Sequence, residues 1–309
     1  MDIDEVRGYL DGLEITGCAL RDTGEIAFIA QDWTIVDPME PHKTDVFVFL
    51  PFKKEGEQWG SAGLGTCRDM YVCPSYAQKE RWLFVTNIGE IFVVRNDGSD
   101  FENPVSSHSK FIFGVKTICY KNSYFVGPNR AIIKRIKMNT VTRIDTEKLK
   151  TIHPIKRKGF RDIDGFSDDD LYACGGLGDF WHYDRSQWRF IDLSTNVPLD
   201  HVCCGSNGVV YILATNRFLF FGRKNQWSEY RFDTFSDLVG DIKWYKDRLL
   251  ILTETNCYEL IDNKLHKSKI IDDSPLKYYS YLSCCNEKMV LMNGTEGAYF
   301  DGVRWIKFL

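Results

Sequence analysis

Residues 179–190, DFWHYDRSQWRF, set His182, Tyr183 and Asp184 in a row between Trp181 and Trp188. Those side chains could form a proton relay, in which an imidazole sits between a nucleophile and an orienting carboxylate. On a strand His182 and Asp184 share one face, but no serine or cysteine nucleophile motif accompanies them. The stretch therefore reads as a strand, turn and strand hairpin, and no catalytic residue is assigned.

Other stretches invite metal or phosphate chemistry. DIDGFSDDD, residues 162–170, offers the clustered carboxylates that a hard cation needs, yet Phe166 stands where a further oxygen ligand belongs and no glutamate closes the loop. Asp168, Asp169 and Asp170 are read instead as turn residues. GGLGD, residues 175–179, lacks the Gly-Lys-Ser/Thr ending of a phosphate loop. The six histidines (His42, His108, His153, His182, His201 and His266) show no metal-ligand spacing. The ten cysteines contain no C-x-x-C, and Cys67 and Cys73 stand too far apart for a structural zinc site. They are expected to be reduced and mostly buried thiols. No metal and no cofactor is expected.

The elements that position these residues follow from a repeat. Residues 162–191 align without a gap on 201–230, matching Tyr172 with Tyr211, Gln187 with Gln226 and Trp188 with Trp227. Each unit reads as four short strands joined by turns, and a period near 40 residues with that content marks a β-propeller blade. Third strands are predicted from Val46, Ile91, Ala131, Phe180, Phe218, Cys257 and Gly297. Trp188, Trp227 and Trp305, with Trp59, are predicted to start fourth strands. Cys203-Cys204 and Cys284-Cys285 fall at matching strand positions two units apart. The fold expected is all-β: a single propeller domain over 1–309, with seven blades at about 16–63, 67–106, 112–147, 160–194, 200–234, 240–273 and 280–309. Six or eight blades are the alternatives. The 14% aromatic content and short apolar runs agree with this class.

Units four to seven, with GFSDDDLYACGGLGDFWHYDRSQW and GSNGVVYILATNRFLFFGRKNQW, resemble bacterial propeller repeats that read Asp/Asn turn, Tyr-Ala-x-Gly, Gly, Trp-x-Tyr-Asp-Gly and Trp. The likeness covers about half the chain well. Proteins of that kind serve as binding scaffolds, and some are similar to immunity proteins that neutralise toxins delivered between bacteria. The resemblance implies a fold and a broad role, and it transfers no catalytic residue. The chain differs from WD-repeat proteins in lacking a Trp-Asp pair per blade. It differs from sialidase-type propellers in lacking an intact Ser-x-Asp-x-Gly-x-Thr-Trp box.

Charge and loop length bear on the partner. Residues 130–161 hold eleven Lys and Arg against Asp145 and Glu147, a net +9, leaving −13 elsewhere. Such asymmetry steers a charged partner. Nucleic acid is not the expected one, because stacking aromatics are not interleaved with the basic residues. The two longest connections, QDWTIVDPMEPHKTD in unit one and EKLKTIHPIKRKG between units three and four, emerge on one face of a propeller, where binding loops gather. Trp33, Met39 and His42 in the first, and His153, Lys156, Arg157 and Lys158 in the second, are the candidate partner contacts. The bland alternative is that they plug the mouth of the channel.

The expectation is a non-catalytic, monomeric, protein-binding scaffold acting as an immunity protein or inhibitor of a bacterial toxin domain. The rivals are a lectin-like propeller and a propeller-fold hydrolase or lyase. No apolar run approaches the roughly 18–20 residues that span a bilayer. The first residues show no export signal, so no membrane role and a cytoplasmic location are expected.

Overall fold

The computed structural model describes residues 1–32, 34, 40–105, 108–145, 149, 159–215, 218–232, 239–253, 255–261 and 264–309. It is a seven-bladed β-propeller of four-stranded antiparallel sheets. Blade one holds β1 (Glu14–Leu20), β2 (Ile26–Gln31), β3 (His42–Phe49) and β4 (Trp59–Cys67). Blade two holds β5 (Met70–Pro74), β6 (Glu80–Thr86), β7 (Ile91–Arg95) and β8 (Gly98–Glu102). Blade three holds β9 (Gly114–Ile118), β10 (Asn122–Gly127), β11 (Ala131–Lys137) and β12 (Thr140–Arg143). Blade four holds β13 (Phe160–Ser167), β14 (Asp170–Gly175), β15 (Asp179–Tyr183) and β16 (Trp188–Phe190). Blade five holds β17 (Leu199–Cys204), β18 (Val210–Ala214), β19 (Phe218–Arg223) and β20 (Gln226–Arg231). Blade six holds β21 (Val239–Tyr245), β22 (Arg248–Thr253), β23 (Cys257–Ile261) and β24 (Lys264–Lys267). Blade seven holds β25 (Tyr281–Cys285), β26 (Lys288–Met292), β27 (Gly297–Phe300) and β28 (Trp305–Lys307). All seven predicted third strands are present, and Trp59, Trp188 and Trp305 open their fourth strands. Trp227 is the second residue of its strand. A short helix, α1 (Ile3–Tyr9), precedes blade one and was not anticipated.

The apolar pattern follows from blade packing. Second strands such as IAFIAQ of β2 and VYILA of β18 are buried along their whole length, because both faces of a middle strand lie against neighbouring blades. That produces continuous apolar runs rather than alternation. Fourth strands such as KLHK of β24 are mostly exposed and read as polar.

By packing, the chain forms two compact units, residues 1–74 with 237–309 and residues 75–236. In the first, blades one and seven each come from one continuous stretch, so packing rather than a shared strand joins them. Phe308 stacks on Phe49 at 4.8 Å, the amide of Leu20 donates to Ser283 Oγ at 3.0 Å, and Val6 of α1 is buried in the same core. In the second unit, one core joins blades three and four around Tyr124, Trp181 and Trp188. Another joins blades four and five around Tyr172, Phe180 and Phe220. First strands of successive blades pack on one another, as β9, β13 and β17 do.

Candidate functional site

A charged cluster of the second unit lies on those first strands. β13 and β17 carry the same irregularity near their starts, between Phe160 and Asp162 and between Leu199 and His201. A bulge of this kind re-aims the side chains that follow it. Asp162 Oδ2 accepts the amide of Val202 at 3.0 Å, and Asp164 Oδ2 accepts that of Cys204 at 2.9 Å. Among the described residues no backbone ladder joins β13 to β17, and these two carboxylates link the strands from the side instead. Lys116 of β9 reaches across both, with Nζ 3.1 Å from Asp164 Oδ2 and 3.2 Å from the carbonyl of Val202. His201 Nδ1 stands 3.8 Å from Asp162 Oδ2.

Electrostatics fix the protonation of this cluster. Burial acts to raise the Asp162 carboxyl, but Lys116, His201 and the Val202 amide outweigh it and hold the group at about 2. Burial likewise acts to lower Lys116, and Asp164 and Asp162 reverse it, leaving the ammonium well above its ordinary range. A carboxylate so depressed and so fully bonded is a poor general acid or base near neutral pH. Burial, with Asp162 and Asp164 respectively, pushes the thiols of Cys174 and Cys204 well up, which makes them poor nucleophiles. All ten cysteines are free thiols. Among the described residues, no three His, Cys, Asp or Glu side chains converge as a metal would require. The arrangement is a clamp across three blades.

The acidic stretch of blade four behaves similarly. Asp168 receives Tyr124 Oη at 2.6 Å, Asn122 Nδ2 at 2.8 Å, and the ammonium groups of Lys121 and Lys134, both at 3.2 Å. Asp170 lies between His182 Nε2 at 2.8 Å and Arg223 Nη2 of blade five at 2.6 Å. Asp168 and Asp169 do occupy the turn, while Asp162, Asp164 and Asp170 belong to strands. His182 thus pairs with Asp170 and stacks on Tyr172, ring centres 4.4 Å apart. Asp184 instead caps its own turn through Ser186 and Gln187. The hairpin read from residues 179–190 is present as β15 and β16.

The basic stretch is less free than its composition implies. Arg135 is 1% exposed and held by Glu80 and Glu102. Arg130 is clasped by Asp179 at 2.8 Å, Lys134 by Asp168 and Arg161 by Asp200 at 3.5 Å. These carboxylates all come from outside residues 130–161, so a good part of the +9 is neutralised internally.

Of the predicted contacts, Trp33, Met39, His153, Lys156, Arg157 and Lys158 lie outside the described residues. His42 is a correction. It opens β3 rather than sitting in the loop, is 1% exposed, and has Nδ1 2.6 Å from the carbonyl oxygen of Asp32, so its side chain offers almost no surface to a partner. Sequence reasoning missed Lys116, Asp162, Asp164 and Asp170 as a cross-blade network. The one available signal was their even spacing on predicted strands.

No family model matches the sequence. A relative, Immune protein Tsi7 of Pseudomonas aeruginosa, is 26% identical over 185 residues, which span 60% of this chain and 60% of that protein. Among solved structures, the WD40 repeats of RRP9 superpose with a TM-score of 0.65 at 9% identity, covering 91% of this chain and 88% of that one. Virginiamycin B lyase from Staphylococcus aureus superposes at 0.58 with 9% identity, covering 78% and 88%. The structural likenesses establish the fold alone. Sequence relative and fold together fit a β-propeller protein of the immunity type.

Proposed function

We propose that the chain is a non-catalytic immunity protein that binds a toxin domain in the cytoplasm and blocks it, acting as a monomer through the face on which the connection between blades three and four emerges. The likeness to a bacterial immune protein carries this reading. The physical support is a scaffold whose first-strand charges are consumed in clamping blades, leaving loops to do the recognition. Lys156, Arg157 and Lys158 are the proposed steering residues, and His153 lies in the same connection. Steering by such charges acts mainly on association rate and weakens with salt.

The test begins by recovering bound protein with the tagged chain from its native cell and expressing that protein in a sensitive host. Growth arrest that is relieved by co-expressing the chain supports the reading. A partner that is not toxic, or arrest that the chain does not relieve, refutes it. Replacing Lys156, Arg157 and Lys158 by Glu should slow association about tenfold at low salt, and wild-type kinetics in a folded variant would remove this face.

A further inference from the structure

The fourth strand of each blade forms one edge of its sheet, and a row of free amides and carbonyls at such an edge is a template for another strand. Six of the seven blades guard it. Their outer strands are three to six residues long and carry charge, at Asp100 in β8, Arg143 in β12, Arg189 in β16, Glu229 in β20, Lys264 in β24 and Lys307 in β28. Blade one does not. Its β4 runs for nine residues, WGSAGLGTC, without a charged side chain, and Gly60, Ser61 and Gly63 are exposed.

The register identifies the free groups. The amide of Leu50 donates to the carbonyl of Gln58 at 2.8 Å, which makes these two a hydrogen-bonded pair, and the same register sets Val48 against Gly60 and Val46 against Ala62. Alternation along an antiparallel ladder then turns the backbone groups of Gly60 and Ala62 toward β3 and those of Trp59, Ser61 and Gly63 outward. Among the described residues, residues 60–66 make no backbone hydrogen bond beyond the ladder with β3. Ser61 meets Met1 Sδ at 4.0 Å through its side-chain hydroxyl. The register slips between Lys43 and Asp45, so the regular edge runs from Trp59 to Gly63. Gly60 has no positive φ, and a Cβ there would find nothing within 4 Å. The fold has no steric need of glycine at that position, whereas close approach of another backbone does.

We infer that the outer edge of β4 takes an added strand from the partner, an extended segment with uncharged side chains that is read through its backbone. An extended backbone is what the outward groups of Trp59, Ser61 and Gly63 complement, and β4 offers no charge to pair with a charged neighbour across the strands. A second copy of this chain fits less well. Self-pairing over the five residues from Trp59 to Gly63 falls far short of the roughly 20–30 residues a side of a stable interface. A toxin domain that also engages loops needs only to lay one segment on the edge. The inference rests on the reading above and adds to it a contact in blade one.

The experiment uses the full chain and the toxin domain recovered in the growth assay. Proline at an outward position removes a free donor without breaking a bond to β3, so Ser61→Pro should weaken the complex at least about tenfold. Gly60→Lys, which gives blade one the charge that the other outer strands carry, should weaken it likewise. Residue-resolved amide exchange on the wild-type chain needs no variant: Ser61 and Gly63 should exchange fast in the free chain and at least about tenfold more slowly in the complex, while Gly60 and Ala62 are protected in both. Light scattering should find the free chain monomeric. Wild-type affinity in both folded variants, Ser61 and Gly63 amides that stay fast in the complex, or a dimer of the free chain that Ser61→Pro dissolves, overturns the edge as the partner's site while leaving the immunity reading intact. Failure of the wild-type chain to relieve growth arrest overturns both.

Discussion

Asp162→Asn isolates the charge in the first-strand clamp, because asparagine keeps the shape and one acceptor oxygen. The carboxyl sits at about 2 in the fold against an ordinary 3.8. That difference corresponds to roughly 2–2.5 kcal/mol of stability. The side chain is only 18% exposed, so solvent screening removes little of it. A depressed carboxyl stabilises fully above its unfolded value, near 4, and the contribution fades as pH falls through about 2. The variant should therefore melt about 4–8 °C below wild type at pH 7, with the gap constant down to about pH 5 and closing between about pH 4 and pH 2. Thermal scans by circular dichroism over that pH series read it directly. Asp184 is the control: its carboxyl is also held at about 2, through Ser186 and Gln187, but in an exposed turn that bridges no blades. Asp184→Asn should leave the melting temperature close to wild type. Equal melting of wild type and Asp162→Asn at pH 7, or a gap that persists to pH 2, would refute the clamp.

Other outcomes follow from the same packing. Trp188 is 2% exposed and donates from Nε1 to Ile144 of blade three, so Trp188→Ala should cost about 3–5 kcal/mol in urea unfolding. Trp227 is only half-buried and bonds within its own turn to Lys224, so its truncation should cost clearly less; equal losses would count against the assignment. Arg135→Met strands Glu80 and Glu102 in the core and should cost about 3–5 kcal/mol, most of it recovered when both glutamates become glutamine. A thiol titration in denaturant without reductant should find all ten cysteines reactive, and a shortfall of two or more would contradict the free-thiol assignment.

The sequence by itself determined the blade. The interval between strands, the tryptophans that open fourth strands, and the cysteine pairs that end β17 and β25 are local properties, repeated because each strand keeps the same place in its blade. Those features survive because every blade solves the same packing problem. Local spacing did not determine the charges. Strand periodicity predicts His182 and Asp184 on one face, but the antiparallel register sets His182 opposite Tyr172, beside Asp170, and β15 ends at Tyr183, so Asp184 falls to the turn. Lys116 meets the carbonyl of Val202 from 86 residues away, and Arg135 meets Glu80 from 55. Nothing periodic marks such pairs, since they form wherever closure of the blades brings a cation and a carboxylate together away from water. The basic run 130–161 was legible as composition, whereas its partial neutralisation by Glu80, Glu102, Asp168, Asp179 and Asp200 was decided only by the tertiary structure. A burial penalty on each unpaired charge makes the fold seek those partners.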